Sequence, residues 1–312
     1  MAKSDEFLKL IEKFLAKKEL NFLDQNQLDL TNQSVKKWKK NAIKAIDFLE
    51  KFNLDFCLIK IHDLPFARMG DVDFLVEDGT KLEDFYLKLK DRGFVFHHIP
   101  FNDKLKLTAI DPKSKFEMDF YPDAKWSELR YANKGFISSS KRITVKHGIK
   151  IFSPKPEHEI YITATHGYSH GRLNLMEVIS TCKTILDEKS DINEIVSLSE
   201  KFHMQNGVYV LLSSVNSIFS LLNYEVIDDS VMKKLSLITH PIITKKFNKS
   251  NFDIFPIQFS VKELFAVSMS RIGANNLDKS ISVFDEIANF VLHNRLINKI
   301  YNLSPEYNHK SE

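Results

Sequence analysis

The stretch Arg68-Met69-Gly70-Asp71-Val72-Asp73-Phe74-Leu75-Val76 decides how this chain is organised. It predicts a β-strand, because apolar residues alternate with Asp71 and Asp73 and the side chains of a strand alternate between two faces. Both carboxylates therefore leave one face while a valine–phenylalanine–valine stripe anchors the other. Carboxylates held close together on a rigid strand favour Mg²⁺, although this spacing alone also fits solvated residues on the polar face of a half-buried strand.

A second strand of the same design is predicted at Phe116-Glu117-Met118-Asp119-Phe120-Tyr121. Its apolar residues share one face, and Asp119 lies on the other face with Glu117 and Tyr121. If this strand pairs beside 71–76, Asp119 joins the first two aspartates, and the carboxylates converge on one or two divalent cations. The third aspartate therefore decides between the two interpretations in favour of a metal site.

Composition places the chain among ordinary soluble proteins. It has 312 residues, of which 43% are hydrophobic and 27% charged, enough for two domains with sizeable cores. The net charge of +3 is too small to indicate nucleic-acid or membrane binding. Cys57 and Cys182 form no disulfide framework, the N-terminus lacks an apolar signal core, and no apolar run is long enough to span a bilayer. We expect a cytoplasmic protein with no membrane partner.

The pattern of residues divides the chain into three parts: an N-terminal helical extension (1–33), an α+β domain (34–152) and a helical domain (153–312). In the first part a helix is predicted at 5–19, followed by an irregular polar stretch, and Ser34 is the predicted N-cap of a helix that ends at Phe52. In the second part strands are predicted at 55–60, 71–76, 94–99, 104–110 and 115–121, with a helix at 81–92 and a hairpin at 143–152. In the third part helices are predicted at 157–167, 172–187, 191–203, 206–223, 228–236, 261–271 and 278–302, with Pro241 as a breaker.

In this order, these motifs resemble the polymerase-β-type nucleotidyltransferase superfamily. They are most similar to its branch of uncharacterised bacterial and archaeal nucleotidyltransferases, which includes abortive-infection type toxins. In that branch a strand ends in Lys-Gly, an arginine precedes Asp-x-Asp, and histidine-bearing helices follow the sheet. The matching residues are Leu58-Ile59-Lys60, Arg68, Asp71-Val72-Asp73, Met118-Asp119-Phe120, and the segment 156–186 with His166 and His170.

The resemblance implies an α+β fold, with a nucleotidyltransferase-type mixed β-sheet, flanking helices and an all-helical C-terminal region. It implies a Mg²⁺- or Mn²⁺-dependent enzyme that transfers a nucleoside monophosphate from a nucleoside triphosphate to a hydroxyl on RNA, protein or a small molecule. The expected catalytic and metal-binding residues are Asp71, Asp73 and Asp119. The expected nucleotide-binding residues are Lys60, His62, Arg68 and Gly70.

One departure from the superfamily keeps other functions open. Its Gly-Ser after the first strand, which lets backbone amides approach the triphosphate, is replaced here by Ile61-His62. The alternatives are a catalytically inactive nucleotide- or protein-binding module on the same fold, or a toxin-like enzyme that acts on tRNA through the lysines of 36–44. His166 and His170 have a spacing that can hold zinc on a helix, but we favour a structural or substrate-contacting role for them.

Overall fold

A five-stranded mixed sheet carries both predicted acidic strands. The computed structural model describes residues 2–17, 25–65, 67, 69–77, 81–97, 107–121, 125–126, 129–130, 135–169, 172–247 and 257–258. Its helices are α1 Ala2–Lys17, α2 Gln25–Lys51, α3 Lys81–Asp91, α4 Phe136–Ser140, α5 Pro156–Ser169, α6 Leu175–Glu188, α7 Ile192–Lys201, α8 Gln205–Leu221, α9 Asp229–Ile238 and α10 Pro241–Phe247. Its strands are β1 Phe56–Ile59, β2 Val72–Val76, β3 Val95–His97, β4 Leu107–Ile110, β5 Glu117–Tyr121, β6 Lys125–Trp126, β7 Leu129–Arg130, β8 Arg142–Lys146, β9 Ile149–Ser153, β10 Arg172–Leu173 and β11 Ile257–Gln258.

The strand order of the sheet is β1-β2-β5-β4-β3. β2 and β5 are parallel neighbours, and the other neighbouring pairs, β1 with β2, β4 with β5 and β3 with β4, are antiparallel. A parallel pair needs a long crossover, which here includes α3 and the outer strands β3 and β4. The two acidic strands are therefore adjacent in the sheet, although about forty residues separate them in the chain.

Each face of the sheet covers its own apolar core. On one face the strands pack with α2 and α3 around large buried side chains, namely Trp38, Leu49, Phe56, Phe74, Phe85 and Phe120. On the other face Cys57, Leu75 and Tyr121 join the core of the helical half. The sheet thus forms the wall between the two halves, and both halves bury apolar surface against it.

The helices after the sheet confirm most of the predicted helical pattern as far as Phe247. α1 packs on this helical half, because Phe7 and Ile11 are buried in its core and the Phe7 ring lies 5.9 Å from that of Phe219. Asp191 and Asp228 cap α7 and α9, since their carboxylates accept hydrogen bonds from backbone amides of the first turn. The expected helices at 261–271 and 278–302 lie outside the described residues.

The predicted start of one helix is wrong. α2 begins at Gln25, nine residues before Ser34, whose hydroxyl donates to the carbonyl of Thr31 and accepts from the amide of Met69. Ser34 thus makes a tertiary contact within the helix instead of capping it. Pro241 separates α9 from α10, as the sequence predicts, and it is the first residue of α10 because proline fits the first turn, where no intrahelical amide bond is made.

Among the helices of the described residues, none has the length and the apolar character that a bilayer-spanning helix requires.

Candidate metal centre

The pairing of β2 with β5 brings the acidic residues together. In the parallel register Asp73 lies directly beside Asp119, and Leu75 beside Tyr121. Neighbouring residues in register share a face of the sheet, so the two carboxylates project side by side. Asp71 precedes β2 and lies at the same edge. The prediction from the sequence that these three aspartates lie close together is confirmed.

An aromatic stack on the opposite face fixes this register. The rings of Phe74 and Phe120 lie 5.2 Å apart and nearly parallel. Phe85 of α3 packs edge-on against Phe120 at 5.0 Å, and Phe56 of β1 against Phe74 at 5.8 Å. Each phenylalanine follows an aspartate directly, so slipping one strand by one residue would separate the carboxylates and also expose a phenylalanine. The stack therefore positions the site from behind.

The carboxylates of Asp71, Asp73 and Asp119 form a set of oxygen donors suited to a hard cation. Ligand oxygens of the three residues all lie within 4.8 Å of one another. Asp73 is 7% exposed and Asp119 is 2% exposed, whereas Asp71 is open to solvent. Asp73 and Asp119 are therefore not solvated carboxylates on a polar face of the sheet. An all-oxygen set with one open side fits Mg²⁺ or Mn²⁺, which keep water or substrate ligands.

Burial makes the charge on Asp73 unfavourable. Desolvation raises the pKa of this carboxyl from 3.8 to about 7, with further increases from Asp71 and Asp119, and Lys60 opposes the rise. A divalent cation bound at this position would favour the ionised form in the same way as Lys60 does. A bound cation would therefore offset the cost of burying the negative charge of Asp73.

Asp119 is oriented by a neighbouring strand. Thr108 of β4 lies opposite Asp119 in the antiparallel register, and its hydroxyl donates to Oδ1 of Asp119 at 2.5 Å. Both side chains are buried, so this hydrogen bond to a carboxylate is shielded from water. Sequence inspection did not identify Thr108, because its role depends on the pairing of β4 with β5.

Lys60, predicted to bind phosphate, contacts Asp73 directly. It follows β1 with a φ of 58°, a left-handed conformation that is uncommon for residues other than glycine. Its ammonium lies 2.6 Å from Oδ1 of Asp73, donates to the Tyr121 hydroxyl at 3.1 Å, and lies 3.1 Å from Nε2 of His166. The end of β1 thus connects the acidic strands to helix α5.

The contact with Lys60 favours one tautomer of His166. An ammonium only donates hydrogen bonds, so Nε2 of His166 accepts one only when this nitrogen carries no proton. The ring proton then lies on Nδ1, and Nε2 is engaged by Lys60. The structural or substrate-contacting role expected for His166 stays a prediction, and His170 lies outside the described residues.

The loop that replaces the glycine turn is tied to the rest of the protein. The Ile61 side chain is buried in the core, and the His62 carbonyl accepts from Nε2 of His147 at 3.1 Å. Burial, assisted by Lys60, lowers the pKa of His62 to about 4, so the ring is neutral at pH 7. At neutral pH His62 therefore supplies no positive charge with which a phosphate could pair.

Gly70, another predicted nucleotide-binding residue, lies next to the aspartates. Gly70 is exposed immediately before Asp71, and a Cβ added there would meet no atom within 4 Å. The backbone at Gly70 is thus open to an approaching ligand. Arg68 lies outside the described residues.

A narrow polar recess adjoins Lys60 on the side of the helical half. Its volume is about 10 Å³, close to the space that one water molecule needs. Lys60 and His62 line it from the sheet, and Glu159, Thr163 and Thr181 line it from α5 and α6. Burial raises the pKa of Glu159. Glu159 is therefore, after Asp73, a second carboxyl whose charged form is disfavoured by burial.

Comparisons with known proteins give structural neighbours only. No family model matches the chain, and the search of curated proteins finds no match. The crystal structure of an antigenic nucleotidyltransferase-like protein from Paracoccidioides brasiliensis aligns with 65% of this chain and 99% of its own, at 14% identity and a TM-score of 0.44. The solution structure of the antibiotic-resistance factor ANT(2'')-Ia aligns with 62% of this chain and 96% of its own, at 12% identity and a TM-score of 0.36. Neither likeness identifies a substrate, so a function is inferred from the aspartates themselves.

Proposed function

We propose that this protein is a cytoplasmic Mg²⁺- or Mn²⁺-dependent nucleotidyltransferase. It transfers a nucleoside monophosphate from a nucleoside triphosphate to a hydroxyl acceptor. The observation that carries the proposal is the convergence of Asp71, Asp73 and Asp119 within 4.8 Å at one edge of a rigid sheet. The order of the sequence motifs supports a place in the branch that includes abortive-infection type toxins.

The carboxylates are given separate roles by their surroundings. Asp73 and Asp119 are buried and rigidly held, so they fix the position of a cation, while exposed Asp71 faces the side from which substrate enters. When bound, a divalent cation would neutralise charge that builds up on the phosphates during transfer. Asp119, which is oriented by Thr108, would help to deprotonate the acceptor hydroxyl.

A direct test is transfer of label from α-labelled nucleoside triphosphates to RNA, protein and small-molecule fractions of a cell extract. We expect metal-dependent incorporation by the wild-type protein that is lost in Asp71→Asn and Asp119→Asn. Asp47→Asn is a matched control, because Asp47 is a solvent-exposed residue of α2 that pairs with a lysine one turn away. Incorporation unaffected by the two site substitutions would refute the proposed mechanism.

A non-catalytic nucleotide-binding module is the second candidate, and the loop at Ile61-His62 favours it. The buried Ile61 side chain and the bonded His62 carbonyl restrict this loop, whose counterpart in the superfamily lets backbone amides approach the triphosphate. Thermal shift with nucleotides separates the two candidates. Stabilisation that requires Mg²⁺ and is lost in Asp71→Asn supports the enzyme, whereas stabilisation independent of metal supports the module.

The basic face considered for tRNA binding is smaller than the sequence predicts. Lys44 is half-buried and its ammonium lies 2.6 Å from Oδ2 of Asp111, so this lysine is already paired. No feature of the described residues favours tRNA over other hydroxyl acceptors.

A further inference from the structure

The ammonium of Lys60 already lies where a cation would bind. It is 2.6 Å from Oδ1 of Asp73, and the side chains of the two residues are 15% and 8% exposed. A charge pair at this depth is screened little by solvent and is maintained only when further contacts compensate its desolvation.

Several contacts hold the ammonium in this position. The Tyr121 hydroxyl and Nε2 of His166 each lie 3.1 Å from it, and the Tyr121 ring centroid lies at 4.8 Å. The backbone at Lys60 is left-handed, which directs the chain sharply at the end of β1. These contacts come from β1, β2, β5 and α5, so the position of the ammonium is set by the fold and not by one flexible side chain.

Oδ1 of Asp73 is occupied by the Lys60 ammonium at 2.6 Å. A divalent cation bound at the same oxygen would lie beside this ammonium, and two positive charges so close together repel each other. Lys60 therefore disfavours a second cation at Oδ1 of Asp73 as long as it remains in place.

We propose that Lys60 is a built-in cation that takes the place of a second metal, so that the centre binds a single divalent ion. This inference rests on the proposed function, because it assumes that the aspartates bind metal. It also gives Lys60 a role different from phosphate binding: the ammonium neutralises Asp73, and the phosphates must be held by other groups.

The test is the stoichiometry of Mn²⁺ binding to the full-length, nucleotide-free protein. It is measured by calorimetry and, independently, by the loss of the electron paramagnetic resonance signal of free Mn²⁺. We expect one Mn²⁺ per wild-type chain and one per Lys60→Arg chain, which keeps the positive charge. Lys60→Gln keeps the side-chain length but removes the charge, and we expect it to bind a second Mn²⁺. Asp71→Asn identifies the binding that belongs to the centre.

Each outcome is decisive. Two Mn²⁺ bound to the wild-type protein would overturn the inference. This measurement needs no variant, so the inference can be tested even if a variant fails to fold. Equal stoichiometry in the wild type and a folded Lys60→Gln would also overturn it, while leaving the proposed function intact. If neither protein binds Mn²⁺ in a manner sensitive to Asp71→Asn, the proposed function fails and the inference fails with it.

Discussion

Replacing Asp73 by asparagine should stabilise the protein while removing its metal response. Asparagine is close in shape to the uncharged aspartic acid, so the substitution removes the cost of burying a charge. This cost exceeds the attraction to Lys60, because the pKa of Asp73 stays raised although the ammonium lowers it. The pKa of Asp73 moves from 3.8 to about 7 on folding. At ~1.4 kcal/mol for each tenfold change in proton affinity, the charged form destabilises the fold by about 4 kcal/mol.

The sign of the pH dependence follows from the direction of this pKa shift. Because the folded-state pKa is raised, the unfolded chain ionises first, and stability is lost as the pH rises from 3.8 to about 7. The advantage of Asp73→Asn should therefore be full at pH 8 and shrink as the pH falls toward 4. We expect the variant to gain up to about 4 kcal/mol in unfolding free energy at pH 8.

Urea denaturation at pH 8 and pH 5, with EDTA and with Mn²⁺, measures both parts of this prediction. Mn²⁺ at about 100 times its dissociation constant should stabilise the wild type by ~2.7 kcal/mol and leave Asp73→Asn unchanged. The control Asp47→Asn changes an exposed side chain and should alter stability by no more than about 0.5 kcal/mol. An Asp73→Asn protein that is no more stable than wild type in EDTA at pH 8 would refute the view that this charge is held at a cost.

Three further substitutions test the surroundings of the site and the helical half. Thr108→Val should lower the unfolding free energy by ~1.5–3 kcal/mol, because it removes a hydrogen bond to the Asp119 carboxylate. Thr108→Ser keeps the hydroxyl and should retain most of this stability. Equal losses of stability in the two variants, measured by urea denaturation, would show that the hydroxyl is unimportant. Gly207→Ala should destabilise by ~1–3 kcal/mol, since the new Cβ would lie 2.9 Å from that of Tyr168, and an unchanged melting temperature would contradict this packing. Glu159→Gln should gain stability relative to wild type as the pH rises, because burial raises the pKa of Glu159. The melting temperatures of the two proteins measure this gain. A difference between them that stays constant from pH 4 to pH 9 would show that Glu159 titrates normally.

The alternation of residues in two strands predicted that the aspartates share a face of the sheet, on the condition that the two strands pair. Period-two patterns place Asp73 and Asp119 beside phenylalanines that must be buried, and the observed register pairs the two aspartates and the two phenylalanines. The strong apolar pattern also predicted most helices of the second half. Such inferences succeed because they depend on neighbours in sequence or on a single strand pair.

The environment of the site could not be predicted in the same way. The contact between Lys60 and His166 joins residues 106 positions apart, and it depends on a left-handed backbone at a lysine, which sequence patterns do not indicate. The start of α2 was misplaced because Ser34 looks like an N-cap, whereas its hydroxyl serves the Met69 amide in another part of the fold. Both features result from packing between elements distant in sequence.

The most direct test of the proposed centre is a crystal of the full-length protein soaked with Mn²⁺ and a non-hydrolysable nucleoside triphosphate. Anomalous scattering locates the metal without assumptions about the acceptor. We predict a manganese peak within bonding distance of Asp71, Asp73 and Asp119, with the triphosphate bound to it. A manganese peak elsewhere, or a triphosphate bound away from these aspartates, would contradict the proposed site.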